Sequence, residues 1–394
     1  MSEQKIKCLY ITFTGLSDPL GQSQVLPYID DLSKKGIEFY LVSLEKTKDS
    51  AKIKELKNKL KALGVHWYPL RYFKHHKILM MLNMAQCFLV SLYLVLFKKI
   101  KIIHSRSYLP LFSVLLLKKT CNVKLIFDMR GFWPKELVDS GRIKNNSIYY
   151  TILKFLEKKS ILVSNWIITL TPEAQDIIKN DYPSVKLKTS WMPTCVDEKR
   201  FEFIKPVFFN NKFVMVYAGS LWSFYDMPKM ADFFNALKLK IANAHFLVLG
   251  NNETEKLHDL FSDKKIKKEE YTILMLKPEE VAQYLLGSNL AISFIYNTYA
   301  KKASFPTKIA EYLASGLPVV MNAQTNFLRE VVTSNKLGVV LEEFNKQSFN
   351  KALVDVVILL QDKHTKERCK KIAKKYLGKQ VCVNQYLDIY KKLV

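Results

Sequence analysis

The chain has 394 residues, of which 49% are hydrophobic and 25% charged, and this balance excludes an intrinsically disordered protein. Its length is sufficient for two domains that each bury a core of their own. The formal net charge of +25 favours contact with anionic surfaces, but no nucleic-acid recognition motif accompanies it, so we expect no nucleic-acid partner.

Strand-like and helix-like segments alternate along the first half, which is typical of a parallel α/β sheet. We predict strands over Ile6–Thr12, Phe39–Ser43, Val65–Leu70, Ile100–His104, Leu125–Asp128, Trp166–Leu170 and Lys188–Trp191. The helices predicted between them are Gln24–Lys35, Ala51–Leu63, Ile78–Phe97, Leu111–Lys118, Ile148–Val163 and Pro172–Lys179. The first residues place charges before a strand and predict no signal peptide.

The segment Thr14–Gln24 joins the first strand to the first helix and contains two glycines. At Gly15 and Gly21 the backbone can approach a ligand closely, and Gln22 lies beside them. We therefore predict a ligand-binding loop here. The alternative is a turn followed by a helix N-cap at Ser23.

The helix predicted at Ile78–Phe97 has 20 consecutive uncharged positions, which is enough to span a bilayer. Three polar side chains lower its hydrophobicity: Asn83, Gln86 and Ser91. Because the strands on either side of it must share one sheet, we expect a helix that is packed on the sheet or lies at a membrane interface. A transmembrane span is the alternative.

Positive charge is concentrated in the first half, where residues 1–200 carry +16 of the net charge and Lys46–Lys77 alone holds ten basic and two acidic residues. Such a surface attracts an anionic membrane, so we expect a cytoplasmic protein that is peripheral on the inner membrane face. Lysine placed on solvated faces without a partner is the alternative. The six scattered cysteines lack CxxC spacing, which predicts free thiols in a reducing cytoplasm.

Charged residues cluster where the fourth and fifth predicted strands end. His104 and Arg106 lie at one end, and Asp128, Arg130 and Glu136 lie at or after the other. Buried charges at the edge of a sheet need a partner or a ligand, and arginine matches phosphate oxygens. Asp128 or Glu136 would orient a hydroxyl or hold an arginine. The alternatives are an Asp128–Arg130 network that closes a loop and a satisfied core histidine at position 104.

The second half repeats the alternation. Predicted strands are Phe213–Ala218, Phe246–Leu249, Thr272–Leu276, Leu290–Phe294, Leu317–Met321 and Gly338–Leu341. Predicted helices are Met227–Ala242, Pro278–Leu286, Pro306–Ala314, Asn326–Val332, Lys346–Leu360 and Lys366–Leu393, the last with a break near Gly378. The polar stretch Pro193–Lys212 is predicted to link a domain over residues 1–195 to one over residues 213–376.

The segment Ala303–Val320 predicts a loop, a helix that begins near Pro306 and ends at Gly316, and then a buried strand. The N-terminus of a helix favours anions, and Lys308 adds a positive charge there. Glu311 shares the same helix face and can accept two hydrogen bonds from a diol such as a ribose. Upstream, the N–H groups and hydroxyl of the Gly219–Ser220 turn can cradle a diphosphate.

The same segment resembles the nucleotide-sugar-binding helix of glycosyltransferase family 4. The matching residues are Ser304, Phe305, Glu311, Ala314, Gly316, Pro318 and Val319. Ala303 stands where the family has a glutamate, and Pro306 where it has a glycine. The stretch that begins at Gly15, GLSDPLGQSQ, is similar to the opening of a bacterial polysaccharide-biosynthesis branch of that family.

This resemblance implies the GT-B fold, an α/β architecture of two Rossmann-like, doubly wound parallel-sheet domains facing a central cleft. The helix over residues 377–394 would cross back to the first domain. The implied reaction is a retaining, metal-independent transfer of a sugar from a nucleotide-diphosphate-sugar, with UDP or GDP as the expected nucleotide. The implied acceptor is a hydroxyl of a glycan or polyprenyl-linked molecule in cell-surface polysaccharide synthesis, and no cofactor is expected.

The resemblance also assigns roles to residues. The donor-binding set is Gly219, Ser220, Ser304, Phe305, Pro306, Thr307, Lys308 and Glu311. The acceptor-binding set is Gly15, Gly21, Gln22, Arg106, Asp128, Arg130 and Glu136. The catalytic set is Lys308, Glu311, His104 and Arg130, with no metal ligand. Two other functions remain open, a nucleotide-sugar epimerase of the same fold and a non-catalytic protein that binds nucleotides or polyanions.

Overall fold

The computed structural model describes residues 5–73, 77–183, 186, 188–222, 224–250 and 253–394, without the side chains of 77 and 78. The chain divides into two compact units. The first comprises Met1–Pro193, Ala303–Phe305 and Lys379–Val394. The second comprises Thr194–Lys302 and Pro306–Gly378.

The first unit contains, within the described residues, a seven-stranded parallel sheet. Its strands are β1 (Ile6–Thr12), β2 (Ile37–Glu45), β3 (His66–Arg71), β4 (Ile102–Arg106), β5 (Lys124–Asp128), β6 (Trp166–Thr169) and β7 (Thr189–Trp191). Their order across the sheet is β3-β2-β1-β4-β5-β6-β7. The central strands are buried along almost their whole length, as the continuous apolar runs in the sequence predict.

Helices cover this sheet. They are α1 (Pro19–Gln24), α2 (Leu26–Lys34), α3 (Ser50–Ala62), α4 (Lys77–Lys98), α5 (Leu111–Thr120), α6 (Trp133–Asp139), α7 (Ile148–Val163) and α8 (Pro172–Asp181). The side chains of Asp49, Ser147 and Thr171 accept backbone N–H groups at the starts of α3, α7 and α8. Such caps satisfy backbone N–H donors that have no partner within the first turn of a helix.

The second unit contains a six-stranded parallel sheet in its described part, with strands β8 (Phe213–Ala218), β9 (Ala244–Gly250), β10 (Tyr271–Met275), β11 (Leu290–Ser293), β12 (Val319–Met321) and β13 (Gly338–Val340). The order is β10-β9-β8-β11-β12-β13. Its helices are α9 (Met227–Lys238), α10 (Thr254–Asp263), α11 (Pro278–Leu286), α12 (Thr307–Ser315), α13 (Asn326–Ser334), α14 (Lys346–Gln361) and α15 (Thr365–Ile372). A core of Phe233, Phe246, Phe261 and Phe294 lies on one side of the sheet.

The last helix, α16 (Lys379–Lys392), belongs to the first unit. A single π-helical turn, Ala373–Leu377, and an extended Gly378 separate it from α15. This is the break that the sequence predicts near Gly378. Tyr386 and Tyr390 of α16 are buried in the first unit.

The structure corrects several sequence expectations. Residues Pro19–Gln24 form α1 rather than part of a loop, and the predicted capping residue Ser23 instead bonds to Pro19 O within that helix. Helices α6 and α10 were not predicted, because both are short and lack a long apolar period. The expectation of free thiols is wrong for Cys195 and Cys382, which are disulfide-bonded, since scattered spacing in sequence carries no information on distance in space.

Helix α4 is tied to the sheet by a buried amide. The Asn83 side chain accepts from Phe73 N at 3.0 Å and donates to Phe73 O at 2.9 Å, so it completes the backbone bonding of the chain that follows β3. Cys87, Leu94 and Val95 on the same side of α4 pack into the core. The polar residues that lower the hydrophobicity of this helix therefore have a structural role.

Replacement of Asn83 by alanine should lower the free energy of unfolding of the first unit by about 2–3 kcal/mol, because two backbone groups of Phe73 lose their partner. Urea denaturation measures the change. Gln86→Ala is the comparison, since that amide donates to Arg71 O at the exposed surface and to Asn83 Oδ1 but holds no buried backbone group, so its loss should cost less than about 1 kcal/mol. Equal effects of the two variants would contradict the assigned role of Asn83.

Candidate functional site

The turn after β8 lies directly over a lysine side chain. Gly219 adopts a positive φ of 129°, and a Cβ atom there would lie 2.9 Å from Lys308 Nζ. The position thus needs glycine for its backbone conformation and for the close approach. Ala218 N donates to Tyr312 Oη at 2.8 Å, and the Tyr217 hydroxyl donates to Ser220 O. These bonds fix the Gly219–Ser220 turn above the first turn of α12.

Lys308 is buried and its amine has no hydrogen-bond partner within the described residues. Its Nζ lies 3.8 Å from the ring centroid of Tyr217 and 3.4 Å from that of Tyr225. Burial lowers the pKa of Lys308 well below its ordinary value, and the charge of Glu311 opposes this only in part. Cation–π contacts offset some of the cost of burying an ammonium group but do not replace a hydrogen-bonding anion.

Helix α12 begins at Thr307, and Pro306 precedes it as the N-cap residue in an extended conformation. This corrects the expectation that Pro306 lies in the first turn. Pro306 has no side-chain acceptor for the first-turn N–H groups; Ile309 N donates to Pro306 O at 3.1 Å, and the N–H groups of Thr307 and Lys308 point to the open end of the helix, where an anion is favoured. The helix ends at Gly316 with φ 87°, as predicted, and Ile309 and Leu313 anchor it in the core.

Glu311 lies one turn after Lys308, but no ion pair joins the two in the described structure. Its carboxylate, with 22% of the side chain exposed, is 3.4 Å from Arg200 Nη1. Arg200 also donates to Pro278 O at 2.9 Å, so α11 holds the guanidinium in place. Burial raises the pKa of Glu311, and the charges of Arg200 and Lys308 oppose the rise. Arg200 escaped the sequence analysis because only the fold brings it to Glu311.

In the first unit, the strand-end cluster is organised around Asp128. Arg106 and Asp128 are paired in register on β4 and β5, with Nη1 and Oδ2 3.5 Å apart, and Arg130 Nη1 is 3.9 Å from Oδ1. Burial would raise the pKa of Asp128, but Arg130, His104 and Arg106 outweigh it and hold the pKa at about 2. The carboxylate therefore stays ionised and holds two arginines, which is the network that the sequence analysis kept as an alternative.

His104 is a core residue, which was the alternative at this position, and its expected catalytic role stays a prediction. Its side chain is 1% exposed, Nδ1 is 2.6 Å from Tyr390 Oη, and Nε2 is 3.6 Å from Asp128 Oδ2. Tyr386 donates to the same carboxylate at 3.1 Å. Burial lowers the pKa of His104 despite the neighbouring Asp128, so the imidazole is neutral at pH 7. These contacts could not be predicted from the sequence, because both tyrosines lie more than 250 residues after the groups that they contact.

The predicted glycine loop packs against itself and against β2. A Cβ atom on Gly21 would lie 2.1 Å from Gly15 O, and Gln22 donates to Leu16 O at 2.6 Å. The close backbone approach expected at Gly15 and Gly21 is thus made to the protein. Gly15, Gly21 and Gln22 thus shape the loop, and their assignment as acceptor-binding residues stays a prediction.

A buried carboxylate that sequence reasoning missed, Glu45, holds this loop. It accepts hydrogen bonds from Leu16 N at 2.7 Å and from Ser17 N at 3.1 Å, as well as from the Ser17 and Ser43 hydroxyls at 2.6 Å each. Two backbone donors and two hydroxyls thus satisfy the hydrogen-bonding capacity of this buried carboxylate. Its position at the end of a buried strand, opposite a glycine-containing loop, was the signal available.

Ser304 and Glu136 are bonded to each other in the first unit. Ser304 Oγ donates to Glu136 Oε1 at 3.0 Å, although one residue was assigned to the donor and the other to the acceptor. Phe305 is buried, and so is Ala303 at the position where a glutamate was missing. Pro306 and Thr307 belong to the second unit with Lys308 and Glu311.

Most of the second unit matches the model of a known protein family. Residues 198–376 match the family model of the glycosyl transferases group 1. This match confirms the predicted enzyme class, a glycosyltransferase. No curated protein matches the sequence.

Solved structures resemble the whole chain. A glycosyltransferase from Rickettsia africae ESF-5 has a TM-score of 0.73 and 15% identity, covering 99% of this chain and 98% of that one. Sucrose-phosphate synthase from Thermosynechococcus elongatus has a TM-score of 0.72 and 13% identity, covering 99% of each chain. Anabaena Alr3699/HepE in complex with UDP-glucose has a TM-score of 0.66 and 13% identity, covering 99% and 100%. These likenesses confirm the predicted fold, GT-B.

The burial of Lys308 predicts a pH-dependent stability. Because its pKa is lowered in the folded state, the unfolded chain binds the extra proton between that lowered pKa and the ordinary value of 10.5. Stability should therefore rise with pH across this interval. Lys308→Met should be at least as stable as the parent at pH 7, and its advantage should shrink towards pH 10.5. Denaturation series at several pH values measure both slopes.

Lys229→Met is the matched control, because the Lys229 amine is near the surface on α9, 3.9 Å from Asp232. It should leave the pH dependence unchanged. A Lys308→Met variant that is several kcal/mol less stable than the parent at pH 7 would show that the amine has a strong partner in the folded protein.

Proposed function

We propose that this protein is a family 4-type glycosyltransferase that moves a sugar from a nucleotide-diphosphate-sugar to an acceptor hydroxyl. The observation that carries the proposal is the buried amine of Lys308, which has no hydrogen-bond partner in the described structure and lies 2.9 Å from where a Cβ of Gly219 would be. A cation held in this way is prepared for an anionic ligand.

Three groups of the second unit would hold the donor diphosphate. They are the Lys308 amine, the N–H groups of the first turn of α12, and the amides of the Gly219–Ser220 turn. All three are fixed before the ligand arrives. Charge develops on the diphosphate as the bond to the sugar breaks, so these fixed donors would stabilise the leaving group without a metal ion. The transfer is proposed to be retaining, as the resemblance to family 4 implies.

Glu311 would hold the ribose of the nucleotide. It is the carboxylate one turn after Lys308 on the same helix, it is partly exposed, and Arg200 fixes its position. A carboxylate can accept two hydrogen bonds from the 2′ and 3′ hydroxyls. The expected nucleotide is UDP, with GDP as the alternative; the solved complexes of Anabaena Alr3699/HepE with UDP and UDP-glucose support UDP.

The acceptor side is proposed for the first unit. Arg106 and Arg130, held by Asp128, are mostly buried and would bind a phosphate of the acceptor. The acceptor would be a glycan or polyprenyl-linked molecule in cell-surface polysaccharide synthesis, on the cytoplasmic side of the inner membrane. His104 would act through Asp128, by positioning the arginines, rather than on the substrate.

Calorimetric titration with UDP-, GDP- and ADP-sugars tests the proposal. One nucleotide class should bind at least tenfold more tightly than the others, and Lys308→Met should weaken that binding by about 100-fold, since hydrogen bonds to charged groups contribute about 1.5–3 kcal/mol each. If none of the three classes binds, or if Lys308→Met binds as the parent does, the proposal is wrong.

A second variant tests the ribose contact. Glu311→Ala should lower kcat/KM for sugar transfer by about 100-fold, because a doubly hydrogen-bonded carboxylate is lost. Glu330→Ala, which removes an exposed carboxylate from α13, should have no effect. The measurement is the release of nucleoside diphosphate with and without an acceptor.

The same assay separates the two other functions. An epimerase would convert the donor sugar when no acceptor is present. A non-catalytic protein would bind the nucleotide-sugar and release no product with any acceptor. Full transfer by Glu311→Ala would favour a donor site elsewhere in the protein.

A further inference from the structure

Helix α4 exposes large apolar side chains on its outer side, although its inner side already packs apolar residues into the core. Leu82, Leu89 and Leu96 lie on its outer side and are 48%, 63% and 57% exposed. Asn83 and Ser91 lie on the inner side and are completely buried. A helix on a water-facing surface normally presents polar side chains on its outer side, so this outer side is not built for water.

The neighbouring helices extend this surface. Helix α4 packs against α5, and α5 packs against α7, so the three lie side by side on the sheet. Leu116 on α5 and Ile152 and Phe155 on α7 are 52%, 44% and 56% exposed. We name as the apolar face the surface formed by Leu82, Leu89, Leu96, Leu116, Ile152 and Phe155. Exposed apolar side chains on three adjacent helices mark an interaction surface rather than scattered residues.

The charges around the apolar face are almost all positive. No aspartate or glutamate occurs between Glu55 and Asp128. Between Asp139 and Glu173 the sole acidic residue is Glu157, which is buried and bonded to Tyr108 and Lys154. The last turns of the helices and the residues after them carry lysines instead: Lys98 at the end of α4 and Lys99 after it, Lys118 and Lys119 in α5, and Lys158 and Lys159 in α7.

We propose that the apolar face docks on an anionic lipid bilayer, with α4, α5 and α7 lying in the plane of the interface. The apolar side chains would enter the boundary between headgroups and acyl chains, and the lysines would contact anionic headgroups. A second copy of the chain fits less well, because two such faces would bring their lysines together without an acidic partner.

In-plane docking also fits better than a transmembrane span. Leu79–Lys98 is long and apolar enough to cross a membrane, and 28% of that stretch is buried. Yet its inner side is bonded into the first unit through Asn83 and through Met84 O, which accepts from Ser113 Oγ at 2.9 Å. Extraction of α4 into the bilayer would break these bonds and open the core. The helix therefore stays on the sheet and offers only its outer side to lipid.

Vesicle flotation tests the proposal with the whole protein and no sugar donor, so its outcome does not depend on the proposed function. Binding to vesicles of phosphatidylcholine that contain about 30% anionic phosphatidylglycerol is compared with binding to vesicles of pure phosphatidylcholine. The parent should float with the anionic vesicles. Leu89→Glu combined with Leu96→Glu should weaken binding by about 100-fold, since two apolar side chains are replaced by anions.

The matched control is Val354→Glu combined with Ile358→Glu on α14 of the second unit, where the two side chains are 57% and 60% exposed. It should bind vesicles as the parent does. Lys119→Gln and Lys158→Gln should each weaken binding by about fivefold, and the effect should diminish as salt rises. All replaced residues are exposed, and circular dichroism confirms that each variant is folded.

Three results would overturn the proposal. The first is equal vesicle binding by the parent and by the Leu89/Leu96 double variant. The second is a parent that does not bind vesicles but is dimeric by light scattering, with the double variant monomeric, which would make the face an interface between copies. The third is a protein that alkaline carbonate fails to release from membranes, which would indicate a span.

Discussion

A single ammonium group, the amine of Lys308, explains the construction of the second unit around the end of β8. The Lys308 amine requires glycine at position 219, because any side chain there would clash with it. The amine also lies against the rings of Tyr217 and Tyr225. Tyr312, on the same helix as Lys308, fixes the strand end through Ala218 N. A buried charge without a hydrogen-bond partner is expensive, and this cost is the reason we propose an anionic ligand at the Lys308 amine.

The first unit treats buried charge in the opposite way. Asp128 is completely buried, yet Arg106, Arg130 and Tyr386 surround it, and Glu45 is satisfied by four donors. These carboxylates order the strand ends and loops around them. The first unit thus surrounds its buried carboxylates with its own donors, whereas the Lys308 amine of the second unit has no hydrogen-bond partner within the described residues. This contrast fits a donor site in the second unit and an acceptor site in the first.

The strands and most helices could be predicted in their order along the chain, because buried parallel strands appear in the sequence as short apolar runs. Gly316 and Thr171 are residue types that are typical of helix ends. Lys308 and Glu311 could be found because they lie on one short helix. The side-chain contacts that decide the roles of other residues could not be predicted from the sequence. Arg200 meets Glu311 across 111 positions, and Tyr390 meets His104 across 286, so no local pattern connects them. Helix α1 was not predicted because it is short and contains Pro19 and Gly21, which are typical of loops.

The first unit is assembled from segments that the ribosome makes at very different times. Tyr386 and Tyr390, which complete the surroundings of Asp128 and His104, lie on α16, at sequence separations of 258 and 286 from their partners. Until they are synthesised, the ends of β4 and β5 lack part of their covering, although both strands emerged hundreds of residues earlier. Folding of this unit can therefore be completed only after α16 has been synthesised, and a protein that lacks α16 would keep an incomplete core.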